Sequence, residues 1–159
     1  MKKTFTLLFV LFALSVSAQG ELAANINLNT AEKVFRSPDV DFKPQLKNGL
    51  NALSAYISNH YKFPEIKNKK IKIFVSFIVE PDGKMSDVKA FYISIKDLVP
   101  AESQSDPAAV NEANKKYTEP LKAEAIRVVS AFNEKWIPAT KDGKTVRCLY
   151  NYPINFNIE

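Results

Sequence analysis

"VRCLYNYPINFNIE" (Val146–Glu159) places an apolar or aromatic side chain at every even position: Val146, Cys148, Tyr150, Tyr152, Ile154, Phe156 and Ile158. Most of the odd positions are polar, and an alternation of period two predicts a strand with one buried face. Pro153 stands in its middle and has no N–H to give to a ladder, so the strand is predicted at a sheet edge or a bulge. The segments before it must therefore supply a central strand and a way to reach its side.

Working back from the strand, "KDGK" (141–144) is a turn that delivers the chain into it. Thr118 or Glu119 with Pro120 forms a helix start signal, and Leu121, Ala125, Val128, Val129 and Phe132 make one apolar stripe that Pro138 closes beyond Trp136. Trp136 is expected to anchor the end of that helix. Residues 97 to 118 are rich in Ala, Ser, Asp, Asn and Pro, and read as a surface excursion or as a short helix. Such a helix would have Asp106 as its cap, Pro107 in its first turn, and Val110, Ala113 and Tyr117 inward.

Further back, "IKIFVSFIVE" has Ile71, Ile73, Val75, Phe77 and Val79 on one face and Phe74 and Ile78 on the other, the pattern of a central strand. "PDGK" (81–84) turns it into a return strand, "MSDVKAFYISI". That strand changes phase between Met85 and the set Val88, Ala90 and Tyr92, so a bulge near Ser86-Asp87 is expected. Leu46, Leu50, Leu53, Ile57 and Tyr61 recur at helical spacing ahead of Pro64, and the lysines of "EIKNKKIK" read as a solvated connector. The fold class is α+β: a three-stranded mixed sheet in the order 2-1-3, with two main helices on one face.

The N-terminus has the layout of a cleavable export signal. Lys2-Lys3 precede an apolar run, shorter than the roughly 20 residues that span a bilayer, and Val16-Ser17-Ala18 is a small-residue cleavage site. The expected organisation is a signal over 1–18, a leader over 19–45 and a domain over 46–159. The formal charge of +5 falls by two once Lys2 and Lys3 are removed, too mild a balance to argue for nucleic acid. The single cysteine cannot form an internal disulfide, which is compatible with export, and its place on the apolar face of the last strand predicts an inert core position.

The inventory for catalysis is thin. His60 is the only histidine, with no cysteine or carboxylate at metal-ligand spacing, and none of the four glycines belongs to a phosphate-cradling loop. Cys148 as a nucleophile would need an accessible electropositive niche. Asp82 with Asp87, and Glu119 with Glu124, fall in turns and on a helix surface. No catalytic, cofactor or metal residues are assigned, and the chain reads as a binding module rather than an enzyme.

Several segments in order resemble the C-terminal domain of the TonB family. They are Tyr61 with Phe63-Pro64, Val75-Ser76-Phe77, Asp82-Gly83, Asp87-Val88, Glu124-Ala125 with Arg127-Val128-Val129, Trp136 with Pro138, Asp142-Gly143-Lys144 and Pro153-Ile154-Asn155-Phe156. The match covers roughly Gly49 to Ile158. The resemblance implies a periplasmic domain of a Gram-negative envelope that accepts a short extended segment of a TonB-dependent outer-membrane transporter, the TonB box, as an added strand along its last strand. An open edge is an aggregation liability, but it is also the equipment for strand addition.

Pro153 would cost a partner strand one bond, so docking is expected along Val146, Arg147, Cys148, Leu149, Tyr150, Asn151 and Tyr152, with Arg147, Leu149 and Asn151 on the face that varies with partner. The chain departs from a force-transmitting TonB in its expected cleavable signal and its short leader, which points to an accessory protein-binding role in the periplasm. Membrane contact is then expected only through partners or an uncleaved signal. Two alternatives remain open at this point: an anchored energy transducer with an uncleaved N-terminus, or a self-associating envelope protein that pairs its last strand between two copies.

Overall fold

Apolar residues on both faces put one strand at the centre of the sheet, and that strand, β3 (Lys69–Val79), is flanked on both sides. The computed structural model describes residues 33–98 and 107–159, so the expected signal, most of the leader, and residues 99–106 with the expected Asp106 cap lie outside the described residues. Among the described residues no helix is long and apolar enough to cross a membrane.

The other elements, in chain order, are β1 (Val34–Arg36), β2 (Gln45–Leu46), α1 (Leu50–His60), β4 (Met85–Asp97), α2 (Pro107–Ala131), β5 (Trp136–Ile137), β6 (Ala139–Lys141) and β7 (Lys144–Ile158). The main sheet runs β1-β7-β3-β4, with β6 paired to β7, while β2 and β5 form a separate two-stranded ladder. The expected order of the three long strands is therefore present, but inside a larger sheet. Val34–Glu159 folds as one compact unit, so residues 34–45, read from sequence as leader, supply β1 and the first residue of β2.

The β3–β4 turn is the three-residue Pro81-Asp82-Gly83 loop. Gly83 is left-handed at φ 80° and donates its N–H to the Glu80 carbonyl at 2.9 Å, a turn chemistry that Pro, Asp and Gly favour in this order. The β6–β7 hairpin uses Asp142 (φ 51°) and Gly143 (φ 72°), the paired left-handed geometry of a two-residue turn.

The β3–β4 ladder has two irregularities. The first falls at Asp87-Val88, where the sequence phase breaks and Asp87 takes φ 50°; the second inserts Phe91 between the partners of Phe74 and Val75. The second returns the inward phase to Ile93 and Ile95, so Tyr92, expected inward, is exposed.

One face of β3 buries Ile71, Ile73, Val75, Phe77 and Val79 against Leu53 and Ile57 of α1 and Leu121, Ala125, Val128 and Val129 of α2. Burial of this kind stabilises by about 1.5–3 kcal/mol for each large aliphatic or aromatic side chain.

Two helix boundaries differ from expectation. Leu46 pairs with Trp136 in β2 instead of opening α1, which starts after Gly49. The helix of residues 107–131 is continuous and passes through Pro120, although proline leaves the carbonyl four residues earlier without its helical donor. Asn114, Tyr117 and Leu121 keep helical spacing across Pro120 and face the core. Asn114 takes the inward place expected for Ala113 because its amide donates to the Ile95 carbonyl at 3.2 Å.

Candidate protein-docking edge

β7 lies antiparallel to β3 in one unbroken register, from Cys148 opposite Val79 to Ile158 opposite Lys69. Its first residues, Lys144–Val146, pair with β6. On its other side β1 runs parallel to it, with Val34 opposite Arg147, Phe35 opposite Cys148 and Arg36 opposite Leu149. β1 is held there because Phe35 is buried in a small apolar cluster with Ala139, Val146 and Cys148, and because Ser37 Oγ donates to the Leu149 carbonyl at 3.2 Å.

The stretch expected to receive a partner is thus largely taken within the chain. Val146 pairs with Ala139, while Arg147, Cys148 and Leu149 lie along β1. Only Tyr150, Asn151 and Tyr152 of that stretch have no strand on their outer side among the described residues, and the unoccupied edge continues instead to Ile158.

The hydrogen bond from Ser37 also fixes which backbone groups face outward. The Leu149 carbonyl points toward β1, and along a strand the direction of N–H and C=O alternates residue by residue, so Asn151, Pro153, Asn155 and Asn157 present theirs to the open side. Tyr150, Tyr152, Ile154, Phe156 and Ile158 bond to β3. Pro153 therefore removes a donor from the open side only, and the β3–β7 ladder loses nothing to it.

The other edge of the sheet, along β4, is broken by two bulges, a device that blunts pairing, whereas the Tyr150–Ile158 edge is regular. Its two faces differ. On the helix side, Phe156 packs tilted against Tyr61 (4.6 Å between ring centroids) and edge to face against Phe63 (4.8 Å), and Phe63 remains 39% exposed. On the open side, Asn155 and Asn157 sit beside Lys72 and Lys70 of β3, and Phe74 gathers Phe91 (6.0 Å) and Tyr92 (5.8 Å), both at least half exposed.

No family model matches this chain, and no curated protein or solved structure matches it.

Arg147 is not free to meet a partner, because its guanidinium grips the Glu80 carboxylate with Nε at 2.8 Å and a terminal nitrogen at 3.0 Å. These bonds, aided by Ser86, hold the Glu80 carboxyl below its ordinary value of 4.5 against the opposing effect of burial. A depressed carboxylate stabilises the fold above its unfolded pKa, and that contribution is lost as pH falls through the folded value. Glu80→Gln should therefore lower the urea midpoint by a constant amount above about pH 5, and the gap between the two proteins should shrink toward acid. A gap of constant size down to acid would show that the pair does not couple to folding.

Cys148 is fully buried, and burial pushes its thiol up with only partial opposition from Ser37, so it is a poor nucleophile at neutral pH. Trp136 packs against Phe77 (5.3 Å) and Tyr150 (4.9 Å) and is 3% exposed, an anchor beside β3 and β7 rather than a contact residue. Its indole N–H has no hydrogen-bond partner among the described residues.

His60 stacks on Tyr56 at 4.1 Å with Nδ1 2.8 Å from the Tyr56 carbonyl. The carboxylates noted in the sequence are held separately: Asp82 with Lys84, Asp87 with Lys89, Glu119 with Lys122 and Glu124 with Arg127. No cluster with metal-ligand composition occurs among the described residues.

Asn155, Asn157 and Phe63 fell outside the stretch singled out from sequence. The signal for the first two lay in the alternation of "PINFNI" itself, since every odd residue after Leu149 shares its outward direction.

Proposed function

We propose that this chain is a protein-binding module of the bacterial envelope that accepts an extended partner segment as an added strand along the outer edge of β7, from Tyr150 to Ile158. The observation that carries this reading is the combination of an unbroken β3–β7 register with outward backbone groups on Asn151, Asn155 and Asn157. The ordered motifs resembling the TonB C-terminal domain support an outer-membrane transporter as the class of partner and the periplasm as the place. The role is accessory to transport, and it requires no catalytic group, cofactor or metal.

β1 narrows the docking site to the second half of β7. A photo-cross-linking residue at Asn155 of the full chain in cells should give adducts with a defined outer-membrane partner, and combining it with Asn151→Pro should remove them. Proline at Asn151 deletes an outward N–H and spares the bonds to β3, so the variant should fold with a melting temperature near that of the parent. Adducts of equal yield from a cross-linker at Lys115 on the exposed side of α2, insensitive to Asn151→Pro, would move the binding surface off the edge. Cross-links to a second copy of the chain would convert the reading to self-association.

A further inference from the structure

We infer that the segment received by this edge is acidic and alternating where it lies beside Asn155 and Asn157, with carboxylate side chains toward Lys72 and Lys70 and apolar side chains between them. The inference rests on the strand-addition reading and specifies the partner. A strand added beside β7 sends alternate side chains to the two faces of the sheet.

Those on the helix side would meet the ledge of Phe63, Phe156 and Ile158, where three rings, Tyr61 included, already pack edge to face or tilted at 4.6 to 4.8 Å. Those on the other side would lie beside Asn155 and Asn157, next to Lys72 and Lys70. Two strand spacings, about 10 Å, separate the added strand from β3, a distance that a lysine and a carboxylate side chain close between them.

The open face carries unbalanced positive charge. Lys70, Lys72 and Lys96 are exposed on it, Lys96 directly opposite Lys70, and none has an ion-pair partner among the described residues. The carboxylates near them are already held, Glu80 by Arg147, Asp87 by Lys89 and Asp97 by Lys69. Glu159 lies one residue beyond the last ladder pair, at the rim. Like charges on neighbouring strands repel, and an incoming row of carboxylates relieves that repulsion while steering the encounter.

The test uses the full chain and three synthetic twelve-residue peptides: alternating Val and Asp, alternating Val and Lys, and the first composition with all its Asp in one block. Binding is read by fluorescence anisotropy at two salt concentrations. The alternating acidic peptide should bind about tenfold more tightly than either of the others, a preference that shrinks at high salt. Lys70→Glu with Lys72→Glu should reverse the order of the acidic and basic alternating peptides.

Equal binding of the acidic and basic alternating peptides, with both lost in Asn155→Pro, would overturn the acidic partner and leave strand addition standing. Acidic preference that survives Asn155→Pro, or that the blocked peptide shares, would overturn strand addition itself and reduce the lysines to a general anion-attracting face. Binding of none of the three would overturn both.

Discussion

Replacing Gly83 by alanine should destabilise the protein by about 3 kcal/mol, the sum of a left-handed backbone imposed on an L-residue and a steric overlap. A Cβ built at Gly83 falls 2.3 Å from the Trp136 carbonyl oxygen, and that neighbour is backbone rather than a flexible side-chain end. The contact is close because the Gly83 carbonyl accepts the Trp136 N–H at 2.9 Å, which ties the β3–β4 turn to β5. Relief would require the turn to withdraw from Trp136, whose ring packs on Phe77 and Tyr150 in the core. Gly143→Ala is the control: it shares a positive φ, but its Cβ meets nothing within 4 Å, so it should cost only about 1 kcal/mol. Urea denaturation of the two variants measures the difference, and equal losses would show that the Trp136 contact carries no weight.

Phe35→Ser should release β1 from β7 and raise the rate at which a thiol reagent labels Cys148 by about thirtyfold or more. β1 is only three residues long, and its hold on the edge is concentrated in the Phe35 ring, which is 8% exposed, and in the Ser37 bond to Leu149. Removing the ring takes away about 2–3 kcal/mol of burial, and 2 kcal/mol is a factor of roughly thirty in a local opening equilibrium. Cys148 reports the event because it is paired with Phe35 and buried beneath it. The melting temperature should fall much less than the labelling rate rises, since the main core of α1, α2 and β3 lies apart from this small cluster. An unchanged labelling rate, or a rise fully accounted for by global unfolding, would show that β1 does not cover the edge as an independent element.

These two positions also mark what the sequence could and could not convey. Asp82-Gly83 and Asp142-Gly143 announce their turns because only certain residues take the backbone those turns need, and the period-two pattern of β7 gives its buried face. The bulge at Asp87 is legible as a break in phase. The bulge at Phe91 is not, because Ala90, Phe91 and Tyr92 are all apolar or aromatic and any of them could be the residue turned outward.

β1 left no trace for a different reason. Three residues show no period, and Phe35 is buried by partners drawn from residues 139 to 148, far along the chain. The run of α2 through Pro120 followed the same logic in reverse, since a local start signal at Thr118-Glu119-Pro120 fell inside a longer helix whose Asn114 and Tyr117 face the core. Val146–Tyr152, read from sequence as one open edge, is closed along Val146–Leu149 by β6 and β1, and the sequence could not show this because the docking of β1 is entirely tertiary.

The edge as it stands assigns distinct tasks to the two halves of β7. The first half is closed by β6 and β1 and buries Val146 and Cys148; the second presents a regular ladder edge with an aromatic ledge on one face and lysines on the other. Pro153 stands inside the second half, where its missing N–H takes one bond from an added strand without weakening the pairing to β3.

Residue-resolved amide hydrogen exchange on the free protein distinguishes an open second half of β7 from a filled one. The N–H groups of Asn151, Asn155 and Asn157 should exchange about a hundredfold or more faster than those of Tyr152, Ile154 and Phe156, while that of Leu149, facing β1, should be protected. Uniform slow exchange from Tyr150 to Ile158 would mean that the edge is already filled, and an unprotected Leu149 would mean that β1 does not occupy its first half; either result would rule out strand addition along a free Tyr150–Ile158 edge bounded by β1.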